Sequence, residues 1–245
     1  MKIGAIIQAR SSSTRLPGKV LMELPYGSGI TVLEQVIRRA KSAKRVDEVI
    51  VATTVNACDD EIVKIAKKEK VKFYRGSEAD VLGRFYEAAQ ENKLDYIVRL
   101  TADCPCIDPK IIDSVINDYF KSKVDYISYC YPRGIDIEVI PFKLLEEANR
   151  LAKKPADREH VSKFIYESDK YKVKWFEPHD EIFSDIRITL DTSEDYTLLC
   201  AVFDQLYKKN KLFGQKEILA LNKNKPWIFQ INHHVVQAKD KGLYK

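Results

Sequence analysis

Through the first half of the chain, short apolar runs alternate with amphipathic stretches, and that alternation restricts the fold more than any other feature. Ile3 to Ala9 reads as a strand. Thr31 to Ala43 reads as a helix, opened by a capping box of Thr31 with Glu34 and carrying Val32, Val36 and Ile37 on one face. Glu48 to Thr53 is a second strand, Asp59 to Lys68 a helix with Asp59 as N-cap, Lys72 to Tyr74 a short strand, and Val81 to Asn92 a helix. Tyr96 to Leu100 is the fourth strand. A helix follows from Asp108-Pro109, where the acid can cap and Pro takes the first helical position. Such alternation calls for an α/β fold, a mostly parallel mixed sheet flanked by helices. In the second half, Tyr126 to Tyr129, Ile135 to Ile140, Tyr171 to Phe176 and Ile186 to Leu190 look extended. Phe142 to Ala152, Glu159 to Ser168 and Ser193 to Tyr207 look helical. No Pro/Gly/Ser-rich linker divides the halves, so residues 1–245 are expected to form a single domain.

Several function classes fall away on composition. With 45% hydrophobic and 31% charged residues, the chain is neither a disordered nor a fibrous sequence. No apolar run approaches the roughly 20 residues that span a bilayer, so no membrane insertion is expected. Met1 to Arg10 has neither the length nor the cleavage site of a signal peptide. Cys58, Cys104, Cys106, Cys130 and Cys200 form an odd, scattered set, which suits reduced thiols in the cytoplasm. Cys104-Pro105-Cys106 lacks Cys-x-x-Cys spacing, and no second Cys or His pair completes a zinc set. The net charge of +5 is concentrated: nine Lys face two acids between residues 207 and 245, a local +7, and the rest sums to −2. A nucleic-acid binder would spread cations over a face and interleave aromatics. No nucleic-acid partner is therefore expected, and the Lys-rich C-terminal segment from about 207 reads as a solvated surface. Only Trp227-Ile228-Phe229-Gln230-Ile231 argues that part of it packs on the body.

Ligands of an open α/β sheet bind beyond the carboxyl ends of the strands, so the loops there carry the chemistry. The loop after the first strand, Gln8 to Lys19, holds three cations (Arg10, Arg15 and Lys19), four hydroxyls and Gly18. Cations this close repel unless an anion sits among them, and hydroxyls with free amides suit phosphate oxygens. The alternative is a polar loop with solvated charges. It is not a Walker loop, because Val20 follows Gly18-Lys19, and Gly27-Ser28-Gly29 lacks the third glycine of a dinucleotide fingerprint. Asp103 and Asp191 each stand where a strand gives way to a loop. Either alone reads equally well as a helix cap, but together they could share one Mg²⁺ ion. Asp136 and Glu138 would share one strand face, open to acceptor hydroxyls or an amine, or simply to water. Arg158, His160 and Arg187 could bind an acceptor carboxylate or phosphate, whereas His233-His234 has no third partner and reads as structural.

These residues carry a resemblance. Ile7-Gln8-Ala9-Arg10 followed by Ser13-Thr14-Arg15-Leu16-Pro17-Gly18-Lys19-Val20-Leu21 resembles the signature of the cytidylyltransferases that activate sugar acids, the CMP-ketodeoxyoctonate and CMP-sialic acid synthetases among them. The branch it is most similar to is that of the spore-coat polysaccharide biosynthesis proteins of the F type. Val51-Ala52-Thr53-Thr54, Arg75-Gly76-Ser77, Val98-Arg99-Leu100-Thr101, Asp103-Cys104-Pro105, Arg158-Glu159-His160-Val161 and Leu190-Asp191-Thr192 fit that branch, to about residue 205. Ala102 departs from the family's usual Gly, and Ser11-Ser12 from its usual bulky residue and Gly.

The resemblance implies a Rossmann-like nucleotidyltransferase fold, CTP in the first loop and Mg²⁺ between two aspartates. By position, Arg10, Arg15 and Lys19 would contact the triphosphate, with Gln8, Ala9 and Ser13 beside the nucleotide and Ala9 presenting backbone groups. Arg75, Ser77 and Thr101 would lie near the base or ribose, Asp103 and Asp191 on the metal, and Asp136, Glu138, Arg158, His160 and Arg187 near the acceptor. The expected partners are CTP and a sugar acid or small phosphorylated polyol. A homodimer is a family expectation that no sequence feature fixes. A nucleotide-sugar glycosyltransferase is the competing enzyme class, yet no Asp-x-Asp follows the fourth strand. A non-catalytic nucleotide-binding protein would lack the aspartates or the cations. Two further expectations follow: Arg15 and Lys19, as solvent-facing cations, should be dispensable to the fold, and Asn at Asp103 or Asp191 should relieve repulsion between carboxylates and leave stability unchanged or raised.

Overall fold

The computed structural model describes residues 1–176, 186–209 and 211–235. Its strands are β1 (Ile3–Gln8), β2 (Glu48–Thr54), β3 (Lys72–Gly76), β4 (Tyr96–Thr101), β5 (Tyr126–Tyr129), β6 (Ile137–Pro141) and β7 (Val173–Trp175). They form one mixed sheet in the order β3-β2-β1-β4-β6-β5-β7. β6 runs antiparallel to both β4 and β5, and every other pairing is parallel. Alternation along β1 divides the core, with Ala5 and Ile7 facing one cluster and Ile6 the other.

Ten α-helices are described: α1 (Val32–Lys41), α2 (Asp60–Lys68), α3 (Val81–Glu91), α4 (Pro109–Lys121), α5 (Phe142–Leu151), α6 (Pro155–Glu159), α7 (Lys163–Tyr166), α8 (Ser193–Leu206), α9 (Gln215–Asn224) and α10 (Pro226–Phe229). Ile37, Ile62, Ile116 and Val202 pack on one face of the sheet, and Leu82, Leu145 and Ile165 on the other. α1 begins at the expected capping box, with Thr31 Oγ1 accepting from the Glu34 amide at 3.2 Å and Glu34 Oε2 from the Thr31 amide at 2.7 Å. α4 begins at Asp108-Pro109, with the Asp108 carboxylate accepting from the Lys110 amide. Among the described residues no helix is long and apolar enough to cross a membrane.

Three elements differ from expectation. The helix read over Glu159 to Ser168 is two short ones, α6 and α7, broken at Val161, whose φ of 56° no continuous helix accepts. Ile186 to Leu190 is extended but makes only an isolated bridge, Arg133 with Arg187. Its amides instead tie it to two loops, Ile188 to the Arg133 carbonyl at 2.7 Å and Leu190 to the Asp103 carbonyl at 2.8 Å. Finally, the segment after residue 207 is not merely solvated surface. Phe213, Ile218, Leu221, Ile228 and Phe229 are buried in the core, and the Arg39 guanidinium lies 4.3 Å over the Phe213 ring. The lysines of 239–245 lie outside the described residues.

Candidate active site

The strand order reverses between β1 and β4, and the crevice at such a switch point is where an open sheet takes its ligand. A cleft of about 700 Å³ opens there, lined among others by Gln8, Arg15, Lys19, Thr101, Asp103 and Asp191. That is a volume suited to a small molecule.

The loop after β1 forms one wall. Its conformation is held by Asp59, which is fully buried. The Asp59 carboxylate accepts from the Ser11 amide (2.8 Å), the Ser11 hydroxyl (2.6 Å) and both Thr53 and Thr54 hydroxyls. Burial alone would raise this carboxyl, but the hydrogen bonds from Ser11 and Thr54 outweigh it and lower its pKa. The sequence had suggested a helix cap at Asp59, but no cap hydrogen bond forms there. Glu78, from the turn before α3, accepts from Ser12 and Asn56 and pairs with Arg10 at 3.3 Å. The Ser11 amide is spent on Asp59, and those of Ser13, Gly18 and Lys19 on carbonyls of the loop itself. Those of Arg10, Ser12, Thr14, Arg15 and Leu16 have no acceptor among the described residues, which leaves a run of donors for phosphate oxygens. The Ala9 amide is not one of them, because it donates to the Ala52 carbonyl and extends the sheet.

The floor of the cleft is an ion cluster. Gly18, at φ 69° in the left-handed region, turns the chain into a short 3₁₀ segment, Lys19–Leu21, that buries Lys19. Its ammonium donates to Asp103 Oδ2 (2.8 Å), Asp191 Oδ1 (2.8 Å) and the Leu190 carbonyl (2.7 Å). Lys19 is therefore not a solvent-facing cation. Burial disfavours its charge, yet the attraction of Asp103 and Asp191 prevails and raises its pKa. For Asp103, burial raises the carboxyl, but Lys19 outweighs it and brings the pKa down to about 2. Asp191 also meets Arg15 at 3.0 Å and Arg187 at 2.9 Å. Contrary to the expectation from the sequence, the two carboxylates do not repel across an open gap. They share a cation.

That arrangement tests the expected metal. Two carboxylates that converge on one ammonium beside a loop with unpaired amides are hard oxygen donors, and Mg²⁺ needs only one or two such ligands beside phosphate oxygens and waters. The residues fit the ion.

Other expected site residues divide. Arg10, Ser13, Thr101 and His160 line the cleft. Arg75 does not: it braces the β2–α2 loop through the carbonyls of Thr54 and Asn56 and the Asp60 carboxylate. Ser77 caps the turn at Asp80 and accepts from Arg84 through its carbonyl. Arg158 is committed to Asp80 and the Asn149 carbonyl. Arg187 grips Asp191 and Asp195 and is a support rather than an acceptor anchor. Glu138 is paired in register with Arg99, which also donates to Gln8 at 3.0 Å, and Asp136 lies against the Cys104 thiol. Neither acid lines the cleft. Burial, with like charge on Asp103 and Glu138, pushes the Asp136 carboxyl up to about 6 despite Arg133 nearby. In place of Arg75 and Ser77, the structure brings in Glu78, Arg84 and Arg99. Burial, then the nearby Arg10 charge, lowers the Arg84 pKa. Arg84 and Arg99 sit on elements read correctly from the sequence, but only the pairing of strands shows that their side chains reach the site.

The sheet order, with its cleft at the switch point, is that of the nucleotidyltransferase fold, and comparison with known proteins gives the same class. The sequence matches the cytidylyltransferase family over residues 4–226, and the chain belongs to that family. It is 38% identical over 242 residues to an uncharacterized protein of Methanocaldococcus jannaschii, covering 97% of each chain. It is 34% identical to the spore coat polysaccharide biosynthesis protein SpsF of Bacillus subtilis, covering 89% of this chain and 93% of that one. Among solved structures, a cytidylyltransferase of Leptospira borgpetersenii superposes with a TM-score of 0.87 at 34% identity, over 98% of this chain and 99% of the other. CMP:2-keto-3-deoxy-manno-octonic acid synthetase complexed with CTP shares the fold, with a TM-score of 0.65 at 17% identity over 84% of this chain and 99% of that one.

Proposed function

We propose that the protein transfers the cytidylyl group of CTP to an oxygen of a sugar acid or small phosphorylated polyol, releasing pyrophosphate, in the synthesis of a surface polysaccharide. The observation that carries this reading is the single ammonium of Lys19 holding Asp103 and Asp191 beneath a loop of unused amides. Similarity to the Bacillus subtilis spore-coat polysaccharide protein supports the polysaccharide setting. Matches of 34–39% identity to 3-deoxy-manno-octulosonate cytidylyltransferases, which cover 47–52% of this chain, support a sugar-acid acceptor.

Phosphoryl-type transfer asks a protein for positioning and charge stabilisation more than covalent chemistry. Free loop amides, with Arg10 and Arg15 on the rim, would hold the departing pyrophosphate. Asp103 and Asp191 would hold Mg²⁺, which when bound neutralises charge between phosphate and acceptor oxygens. Lys19, buried and charged, keeps Asp103 ionised and holds both carboxylates at one point. Glu159 and His160 also line the cleft and would lie near the acceptor. A carboxylate acceptor needs no general base. The test is pyrophosphate release from each of the four nucleoside triphosphates with Mg²⁺ and a panel of acceptors. Turnover confined to CTP with an acidic sugar is expected; release of a nucleoside diphosphate from a nucleotide sugar would overturn the reading in favour of glycosyl transfer.

A further inference from the structure

Resting on the reading of Asp191 as a metal ligand, we propose that Asn232, in the C-terminal segment, is a positioning residue that fixes the Asp191 carboxylate. Asn232 lies in the turn after α10 and is buried, although it falls beyond the residues by which the family is matched. Its carboxamide nitrogen donates to Asp195 Oδ1 at 2.7 Å and to the Arg187 carbonyl at 3.1 Å, so both of its protons are committed. Asp195, fully buried at the start of α8, receives Arg187 Nε and Nη2, each at 3.0 Å, and the amides of Asp191 and Thr192. Arg187 Nη2 in turn reaches Asp191 Oδ2 at 2.9 Å.

The extended run that leads to Asp191 belongs to no strand, so beyond its amide bonds to Arg133 and Asp103 its position depends on these ties. Asn232 holds it twice, by backbone at Arg187 and by side chain through Asp195. Removing the carboxamide leaves a buried carboxylate oxygen and a buried carbonyl each short of a donor. Arg187 and Asp195 then keep their mutual pair but lose the brace that fixes it in place, and Arg187 no longer sets Asp191 Oδ2 in one position. Supports of this kind commonly decide metal affinity without touching the metal.

The experiment uses the full chain, with Mn²⁺ binding followed by the paramagnetic resonance of the free ion and CTP binding followed by calorimetry without metal. Asn232→Ala should weaken Mn²⁺ about tenfold, Asn232→Ser should weaken it less, and CTP binding without metal should be unchanged. Unchanged Mn²⁺ affinity in both variants, with only a lowered Tm, would overturn the proposal by showing a purely structural residue. Should Asn232→Ala fail to fold, Asn232→Ser carries the same comparison. Asp191→Asn, run in parallel, separates the two claims. If it loses Mn²⁺ while the Asn232 variants do not, the proposal alone fails; if it binds Mn²⁺ like the parent, the ligand reading fails and takes the proposal with it.

Discussion

A largely buried ammonium between two carboxylates is costly to disturb from either side, because whichever charge is left behind loses its closest partner with little water to replace it. Lys19→Ala should therefore destabilise the protein by about 3–5 kcal/mol, measured by urea unfolding, in addition to abolishing turnover. A fully stable variant would show that the cluster is solvated. Asp103→Asn and Asp191→Asn should likewise lose stability rather than gain it, and their effects on turnover should be far from additive because both serve one site. The pH dependence has a definite sign. Asp103 titrates at about 2 when folded, against roughly 3.9 in an unfolded chain. Its contribution is complete above the unfolded value and disappears as pH falls toward 2. The raised Lys19 pKa acts in the opposite sense: that contribution is complete below the ordinary lysine value and is lost as pH climbs through the folded one. Asp103→Asn should accordingly flatten the fall of unfolding free energy below pH 4. An unchanged slope would assign acid sensitivity to other carboxylates.

Two loops act as elements of the site. Asp59 ties the loop after β1 to the end of β2, receiving the Ser11 amide and hydroxyl on one side and the Thr53 and Thr54 hydroxyls on the other. Asp59→Ala should raise KM for CTP more than it lowers kcat, since it loosens phosphate binding and leaves the ion cluster in place. An effect confined to kcat would place Asp59 in the chemistry instead. The run before α8 depends on Gly134, whose φ of 104° and 2.5 Å clearance from the Ile188 backbone exclude a Cβ. Gly134→Ala should cost more than about 1 kcal/mol and weaken metal dependence together with stability. A variant as stable as the parent would mean that the run can shift without loss.

For the molecule as a whole, the C-terminal segment closes one face of the sheet. Phe213 meets Phe203 edge to face at 5.0 Å, and Ile218, Ile228 and Phe229 are buried beside it. A chain ending at residue 209 would expose that face and lose Asn232 as well. It should aggregate or show a collapsed near-ultraviolet circular dichroism signal. A soluble, folded, CTP-binding product would restore the picture of a solvated appendage.

The sequence alone determined what depends on neighbours along the chain. Period-two and period-3.6 patterning placed the strands and helices of the first half, Thr31 with Glu34 and Asp108-Pro109 marked helix starts, and the cations and hydroxyls between Gln8 and Lys19 marked a loop that lines the cleft. Asp103 and Asp191 were legible as a pair because each ends an apolar run. What depends on distant segments was decided only by the tertiary structure. Lys19 became an internal counterion because residues 84 and 172 positions away meet it. Asp59 became the anchor of a loop 48 positions earlier rather than a cap. Arg75, Arg158 and Arg187 found nearer acceptors and turned into braces, since a guanidinium pairs with whatever carboxylate or carbonyl the fold presents and not with the ligand its sequence position suggests. Asn232 carried no local signal at all, because its two acceptors lie 37 and 45 positions back and only burial makes them binding.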